Sequence, residues 1–414
     1  MMRTHLCGEV SKDFIGQKII LCGWVDVKRH HGQIIFINLR DISGTIQIVI
    51  NPHTPIFEKA ESLKSEYVVR VTGTVQMRPK GNEDRDIATG EVEVEAHLLE
   101  ILNVSKPLPF SLSEHAGVTE DTRLKYRYLD LRRPKIARNL LLRSRLAHAV
   151  RRYLQSLNFV EIETPILTKS TPEGARDYLV PSRENPGKFY ALPQSPQMFK
   201  QILMVAGFDR YFQLSRNFRD EDLRSDRQPE HTQIDMEMSF ADETDIFAVV
   251  EGLVREVFAV CGEEVPEKFK VLKYSDAMLK YGTDKPDLRF DFEILDCTDI
   301  FETSAFKIFR KAAAEGGRVL AIKGEKGGHL SRSEIDKISE TSQEFGFKQI
   351  AWMKFRGGNF ESPIAKFLSK SEKESLKERF AMCENDILFL AAGEKFTAAS
   401  ALGKVRTALT VSYT

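Results

Sequence analysis

Three runs near the N-terminus alternate apolar and polar residues at every second position: KIILCGWVDVK from Lys18, QIIFINLRD from Gln33 and TIQIVIN from Thr45. A period of two belongs to a strand with one buried face, so this part of the chain is committed to β-structure. Asp41 to Gly44 reads as the tight turn between the second and third runs. A short helical stretch around Phe57 to Leu63 follows, then two more strand-like runs, EYVVRVTGTVQMR and GEVEVEAHLLEILN. Three strands, a helix and two strands is the order of an OB barrel. Another small β-barrel with no nucleic-acid role fits the alternation as well. Arg29, Phe36 and Gln47 favour the OB reading, because they fall on the strands with which such barrels stack and read single-stranded bases.

At 414 residues the chain is too long for one ordinary domain, and two or three are expected. Lys106-Pro-Leu-Pro109 marks a linker after the barrel. Beyond it, RNLLLRSRLAHAVRRYLQSL repeats apolar residues at helical spacing, through Leu142, Leu146, Val150, Leu154 and Leu157. It runs into FVEIETPILT, an extended segment in which Pro165 suits an edge. From about Val271 the pattern becomes mixed α/β as far as about Arg406, with no catalytic constellation in it. Lys plus Arg and Asp plus Glu are both 60, so contact with nucleic acid must come from local patches rather than a global field. The five cysteines are scattered without metal-ligand spacing, which points to free thiols and no structural zinc. The N-terminus lacks an apolar signal region and no apolar run approaches a membrane span, so a cytoplasmic protein with no membrane partner is expected.

The chemistry concentrates in one string, FRDEDLRSDRQPEHTQIDMEMSF, from Phe218 to Phe240. YFQLSRNFRD and HTQIDMEMSF read as two antiparallel strands joined by a long polar loop. Arg219 ends the first strand, where its guanidinium fork suits a phosphate. Glu221 opens the loop, and Arg227 and Gln228 lie on it. A charged turn such as FRDED is ordinarily just solvated; the whole string is the signal. Upstream, Glu173 sits beside Gly174 in a loop expected to move, placed to bind a substrate ammonium. Ser195, Gln197 and Lys200 precede or open a helix, and Lys200 suits a substrate carboxylate.

Taken together and in order, LKYRYLDLRRP, FVEIETPILTKSTPEGARDYLVP, GKFYALPQSPQMFKQ, the Phe218–Phe240 string and YGTDKPDLRF resemble the bacterial aspartyl-tRNA synthetases, a class II family. The resemblance implies an α+β multidomain fold. It would comprise an N-terminal OB-fold anticodon-binding domain over 1–106 and a hinge over 107–140. The N-terminal part of a class II antiparallel-sheet catalytic domain would span 141–287, and an inserted bacterial-type α/β domain 288–406. It implies an ATP-dependent aspartate–tRNA ligase with L-aspartate, ATP and tRNA-Asp as partners, DNA not among them, and a homodimer. By the same resemblance Arg219 meets the ATP α-phosphate and Glu221 the adenine amino group, with Gln228 also on the ATP side. Glu173, Ser195, Gln197 and Asp235 hold the aspartate ammonium or its neighbours, and Lys200 pairs with the side-chain carboxylate. Pro165 matches the motif 1 proline of the dimer interface. Arg29, Phe36 and Gln47 match anticodon-reading positions.

Several departures shape the expectation. His231 stands where the family has a Phe stacking on adenine, a role imidazole can also fill. His31 and Gly81 resemble the relaxed type that also aspartylates tRNA-Asn, whereas strict members carry Leu and Lys there. The family's later strings, a His-His-Pro segment, Mg2+-binding acids and the Gly-rich motif 3, have no match, and residues 407–414 follow no family pattern. The expectation is a chain truncated before motif 3 and poorly active alone, with a partial catalytic core and no metal ligands of its own. The alternative is a non-catalytic tRNA anticodon-binding protein derived from a synthetase. A related asparaginyl or lysyl enzyme is a third reading, against which the inserted domain and TPEGARDYLVP argue.

Overall fold

The computed structural model describes residues 2–113, 117–171, 173–224 and 227–413. Pro172, Ser225 and Asp226 of the quoted strings, and Thr414 of the 407–414 tail, lie outside them. The chain divides into two compact units, Met1–Glu264 and Val265–Thr414. Among the described residues no helix is long and apolar enough to cross a membrane.

The first unit opens with the barrel. Strands β1 (Lys18–His31), β2 (Ile34–Arg40) and β3 (Thr45–Ile50) lead through helix α1 (Phe57–Glu61) to β4 (Val68–Met77) and β5 (Val92–Asn103). They close in the order β1-β2-β3-β5-β4, with β3 parallel to β5 and every other pair antiparallel. The expected order of elements and the OB fold are therefore what the chain adopts. Alternation explains the closure: Ile19, Leu21 and Val25 of β1 turn inward with Ile35, Ile37 and Leu39 of β2, and the residues between them face out. The turn expected at Asp41 is made by its N–H donating to the Gly44 carbonyl at 3.0 Å.

Two short helices, α2 (Glu120–Lys125) and α3 (Arg127–Asp130), precede the long α4 (Pro134–Ser156). Asp130 is fully buried between the guanidiniums of Arg123, Arg127 and Arg133. The Arg123 hydrogen bond holds its carboxyl below the usual range. Then come β6 (Val160–Glu161), β7 (Leu179–Pro181), β8 (Phe189–Ala191), α5 (Gln197–Val205), β9 (Arg210–Phe218), β10 (Glu230–Met238) and α6 (Glu243–Cys261). The main sheet here has the order β10-β9-β6. Its apolar face meets α4 and α6 through Val150, Leu154, Phe212, Val249 and Leu253. Only the C-terminal part of α4 is seated in this way. Leu142 and Leu146 of the expected stripe are half-buried, and Leu140 and Leu141 are exposed.

The second unit contains α7 (Tyr274–Tyr281), β11 (Ile294–Asp296), α8 (Lys307–Ala314), β12 (Arg318–Gly324), α9 (Arg332–Glu340), β13 (Ala351–Arg356), β14 (Asn359–Glu361), α10 (Lys370–Arg379), β15 (Ile387–Gly393) and α11 (Lys395–Tyr413). The sheet order is β11-β12-β15-β13-β14, antiparallel throughout. One face packs on α9 and α11, the other on α8 and α10. Central strands covered on both faces need apolar residues at consecutive positions, which RVLAIKG and ILFLAAG supply.

The sequence expectation divided the chain at 287/288, whereas the compact units part at Glu264. The reason is a set of long-range contacts. Helix α7 packs on α11, and buried Arg406 donates to the carbonyls of Phe292, Asp287 and Phe290 at 2.7, 2.7 and 2.6 Å. The segment before residue 288 is thus bonded to the last helix. That helix also runs on through the positions expected to be off-pattern, with Leu409 in the core. The α7–α11 contact needs Gly282, whose φ is +71° and whose added Cβ would lie 2.2 Å from the Ala399 carbonyl oxygen. Gly282→Ala should therefore destabilise the second unit by on the order of 2 kcal/mol or more, read as an earlier urea-unfolding midpoint. An unshifted midpoint would show that the close approach is not required.

Candidate functional site

The β9–β10 hairpin is in unbroken antiparallel register, pairing His231 with Asn217, Gln233 with Ser215, Asp235 with Gln213 and Glu237 with Tyr211. Residues directly opposite share a face, so all eight lie on one side of the sheet. The intervening Phe212, Leu214, Met236 and Met238 pack on α4 and α6. A strand pair with one face in the core thus presents a continuous polar strip on the other. The strip is internally bonded: Asn217 donates to Gln233 at 2.6 Å, Ser215 to Asn217 at 2.7 Å and Gln233 to Asp235 at 3.2 Å.

At the loop end of this strip a cavity of about 510 Å³ is lined by Arg219, Glu221, Asp222, Leu223, Arg227, Gln228 and His231. All the residues expected around ATP meet there. Arg219 leaves β9 with its backbone N–H donated to Pro229 at 2.9 Å, which extends the pairing by one residue and exposes the side chain. Arg227 lies 3.3 Å from Glu221 across the cavity.

Further along the strip, Lys200 reaches down from α5 to Asp235 at 3.0 Å and Glu237 at 3.4 Å. An ammonium has three donors, so one N–H remains for a further carboxylate. Asp235 is only 2% exposed and its Oδ2 has no hydrogen-bond partner among the described residues. Burial pushes its pKa up, against the opposing pull of Lys200. Burial and the Asp235 charge push the Tyr211 phenol up as well.

Glu173 is held by Ser195, whose hydroxyl donates to its Oε2 at 2.6 Å, and Ser195 also accepts the Gln197 N–H at 3.2 Å. Both line a separate cavity of about 280 Å³ with Met198, Phe199 and Ile202. The loop carrying Glu173 is fixed by buried Gln194, which bonds the Ala175 N–H at 3.0 Å and the Ala175 carbonyl at 2.8 Å. Pro165 is exposed, next to exposed Ile166 and Leu167. Among the described residues no three or more His, Cys, Asp or Glu stand together as a metal-ligand cluster.

On the barrel, Arg29 lies opposite Phe36 and donates to Asn38 at 3.3 Å and Gln47 at 3.4 Å. Gln47 donates to Glu93 at 2.8 Å, and Gln76 to the other Glu93 oxygen at 2.9 Å. Arg78 is buried beside them, with burial pulling its pKa down and one terminal nitrogen unpartnered among the described residues. His31 is exposed at the end of β1, and Gly81 is exposed on the β4–β5 connection with φ +92°.

Gln194, Asn217, Gln233, Gln76, Arg78 and Glu93 were not singled out from the sequence. For the strand residues the available signal was a polar residue at every second position.

The raised pKa of Asp235 has a pH consequence. Folded protein holds its proton to higher pH than the unfolded chain, so stability from this group is present below the ordinary value of 3.8 and is lost as pH rises through the raised native value. Asp235→Asn should flatten that fall, measured by urea unfolding across the acidic range. An identical pH slope in both proteins would contradict the assignment.

The comparisons with known proteins agree with this geometry. Residues 119–391 match the family model described as tRNA synthetases class II (D, K and N), and residues 19–102 match the OB-fold nucleic acid binding domain. An aspartate–tRNA(Asp/Asn) ligase of Thermodesulfovibrio yellowstonii is 53% identical over 409 residues, 98% of this chain and 69% of that protein. An aspartate–tRNA ligase of Geobacillus kaustophilus is 48% identical over 98% of this chain and 70% of its own. The solved asparaginyl-tRNA synthetase of Pyrococcus horikoshii, complexed with asparaginyl-adenylate, aligns over 99% of this chain and 97% of its own with a TM-score of 0.55. At 20% identity that likeness speaks for the fold alone. The chain thus spans about 70% of the length of the two aspartate–tRNA ligases. With a class II model over most of its length and an aspartate–tRNA ligase matching half of its residues, the chain belongs to the aspartate–tRNA ligase family of class II tRNA synthetases.

Proposed function

We propose that the chain activates L-aspartate with ATP and transfers the aspartyl group to tRNA-Asp and tRNA-Asn. The observation that carries this reading is the polar strip of β9 and β10, with a phosphate-suited arginine at one end and the Lys200–Asp235 pair further along it. In the first step an aspartate carboxylate oxygen bonds to the α-phosphorus of ATP while the bond to pyrophosphate breaks. Negative charge builds on the phosphorus oxygens, where a prepositioned guanidinium is most effective, and Arg219 supplies it. Glu221 and Gln228 address the adenine edge and His231 its face. Lys200 pairs with the substrate side-chain carboxylate. Asp235, Glu173, Ser195 and Gln197 serve its ammonium and neighbouring groups. In the second step a terminal tRNA hydroxyl displaces AMP.

Arg29, Phe36 and Gln47 then read the anticodon. His31 and Gly81 support the wider tRNA choice: a Lys at position 81 would carry a side chain at φ +92°, where backbone strain disfavours it. Exposed Pro165, Ile166 and Leu167 support a homodimer, and a cytoplasmic setting suits all these partners. A second reading has a specific observation behind it. Among the described residues the nucleotide cavity is lined by one hairpin alone, while Arg29, Gln47 and Glu93 are bonded together on the barrel, which suits anticodon binding without adenylation.

ATP–pyrophosphate exchange separates the two. Aspartate-dependent exchange that falls by about 100-fold or more in Arg219→Gln is expected on the first reading. Anticodon stem–loop binding with no exchange would favour the second. For tRNA choice, the chain should charge purified tRNA-Asn alongside tRNA-Asp, and charging confined to tRNA-Asp would remove the relaxed assignment.

A further inference from the structure

Glu66 combines three features that a surface loop residue rarely shows. It is 3% exposed, it sits at φ +65°, and its carboxylate is shared by guanidiniums from two parts of the first unit. Arg40 of β2 donates to Oε1 at 2.7 Å, and Arg132, between α3 and α4, pairs with Oε2. Arg40 is braced from its other side by Asp26 at 2.7 Å. Arg132 lies over the Trp24 ring at 5.1 Å, so it grips the barrel through its charge and its flat face together. The Glu66 N–H is in turn tied to the Val25 carbonyl at 2.7 Å.

The surroundings leave this clasp little help. A cavity of about 850 Å³ lies on one side, between the barrel and residues 105–113, and another of about 530 Å³ on the other, between the Asp41–Gly44 turn and the start of α4. Arg40 lines both. A joint flanked by open clefts has less close packing to fix it than a core, so its angle leans on the bonded groups between them.

We infer that Glu66, clasped by Arg40 and Arg132, is a positioning residue that sets the barrel at a fixed attitude to the aminoacylation half. This rests on the tRNA reading proposed above. A tRNA held at its anticodon by the barrel reaches the hairpin site as a second, intramolecular contact. The strength of that contact is an effective concentration, which a stiff joint of the right geometry raises and a loose one lowers.

The test compares the intact chain with Glu66→Gln, Arg132→Gln and the double variant, at one fixed salt concentration because phosphate contacts are salt-dependent. Two RNAs are titrated: full-length tRNA-Asp, and its anticodon stem–loop alone. Each single variant should bind full-length tRNA about tenfold more weakly and the stem–loop as the unsubstituted chain does. The double variant should be no worse than the singles, since both remove one clasp. Arg132→Lys, which keeps the charge and loses the fork and the ring contact, should restore only part of the affinity. Unchanged binding of both RNAs overturns the inference. Equal weakening of both also overturns it, because Glu66 would then serve only the integrity of the barrel. Failure of the unsubstituted chain to bind the stem–loop overturns the anticodon reading itself, and the inference with it.

Discussion

Antiparallel register in the β9–β10 hairpin is the constraint on which the rest of the catalytic half depends. Because opposite residues share a face and successive residues do not, one alternation places Phe212, Leu214, Met236 and Met238 against the helices and eight polar side chains on the other side. A slip of one residue would exchange the two sets, burying Asp235 and Gln233 in apolar surroundings and exposing the core. The apolar anchoring by α4 and α6 therefore also fixes where Arg219, His231 and Asp235 stand. Stability and site geometry here are two faces of one pairing.

The same period governs the barrel with a different outcome. Inward positions are filled by Ile, Leu and Val, while outward positions on β1, β2, β3, β4 and β5 assemble Arg29, Asn38, Gln47, Gln76 and Glu93 into one bonded network. Strands distant in sequence contribute to it, because the barrel closes by pairing β3 with β5 rather than with its sequence neighbour β4. Between barrel and catalytic half the packing logic gives way to ionic contacts around Glu66, which pairs with Arg40 of the barrel and with Arg132. Charge pairs of this kind fix direction more sharply than apolar surfaces do.

Much of this was legible in the chain itself. The five barrel strands and the Asp41 turn each followed from a local period or a turn signal. Expecting Arg219, Glu221, Gln228 and His231 to meet, as they do around one cavity, required the long string from Phe218 to Phe240, since each residue alone reads as ordinary surface. That the second compact unit begins at Val265 was not legible, because the bond between residues 287–292 and Arg406 spans over a hundred positions and leaves no local mark. Gln194, Arg78 and Glu93 escaped notice for a similar reason: single polar residues on strands or loops gain meaning only from the partners beside them.

By itself, then, the sequence determined the alternations, turns and strings that commit this chain to a barrel, a hairpin and a mixed α/β region, and the residue types that suit a phosphate or a carboxylate. Only the tertiary structure decided which of those residues meet. Lys200 finds Asp235 and Glu237 across 35 and more positions, and Glu66 finds Arg132 across 66. Local propensity carries no information about such pairs. Their geometry is set by strand register, by what each helix covers, and by the high cost of leaving a buried charge without a partner.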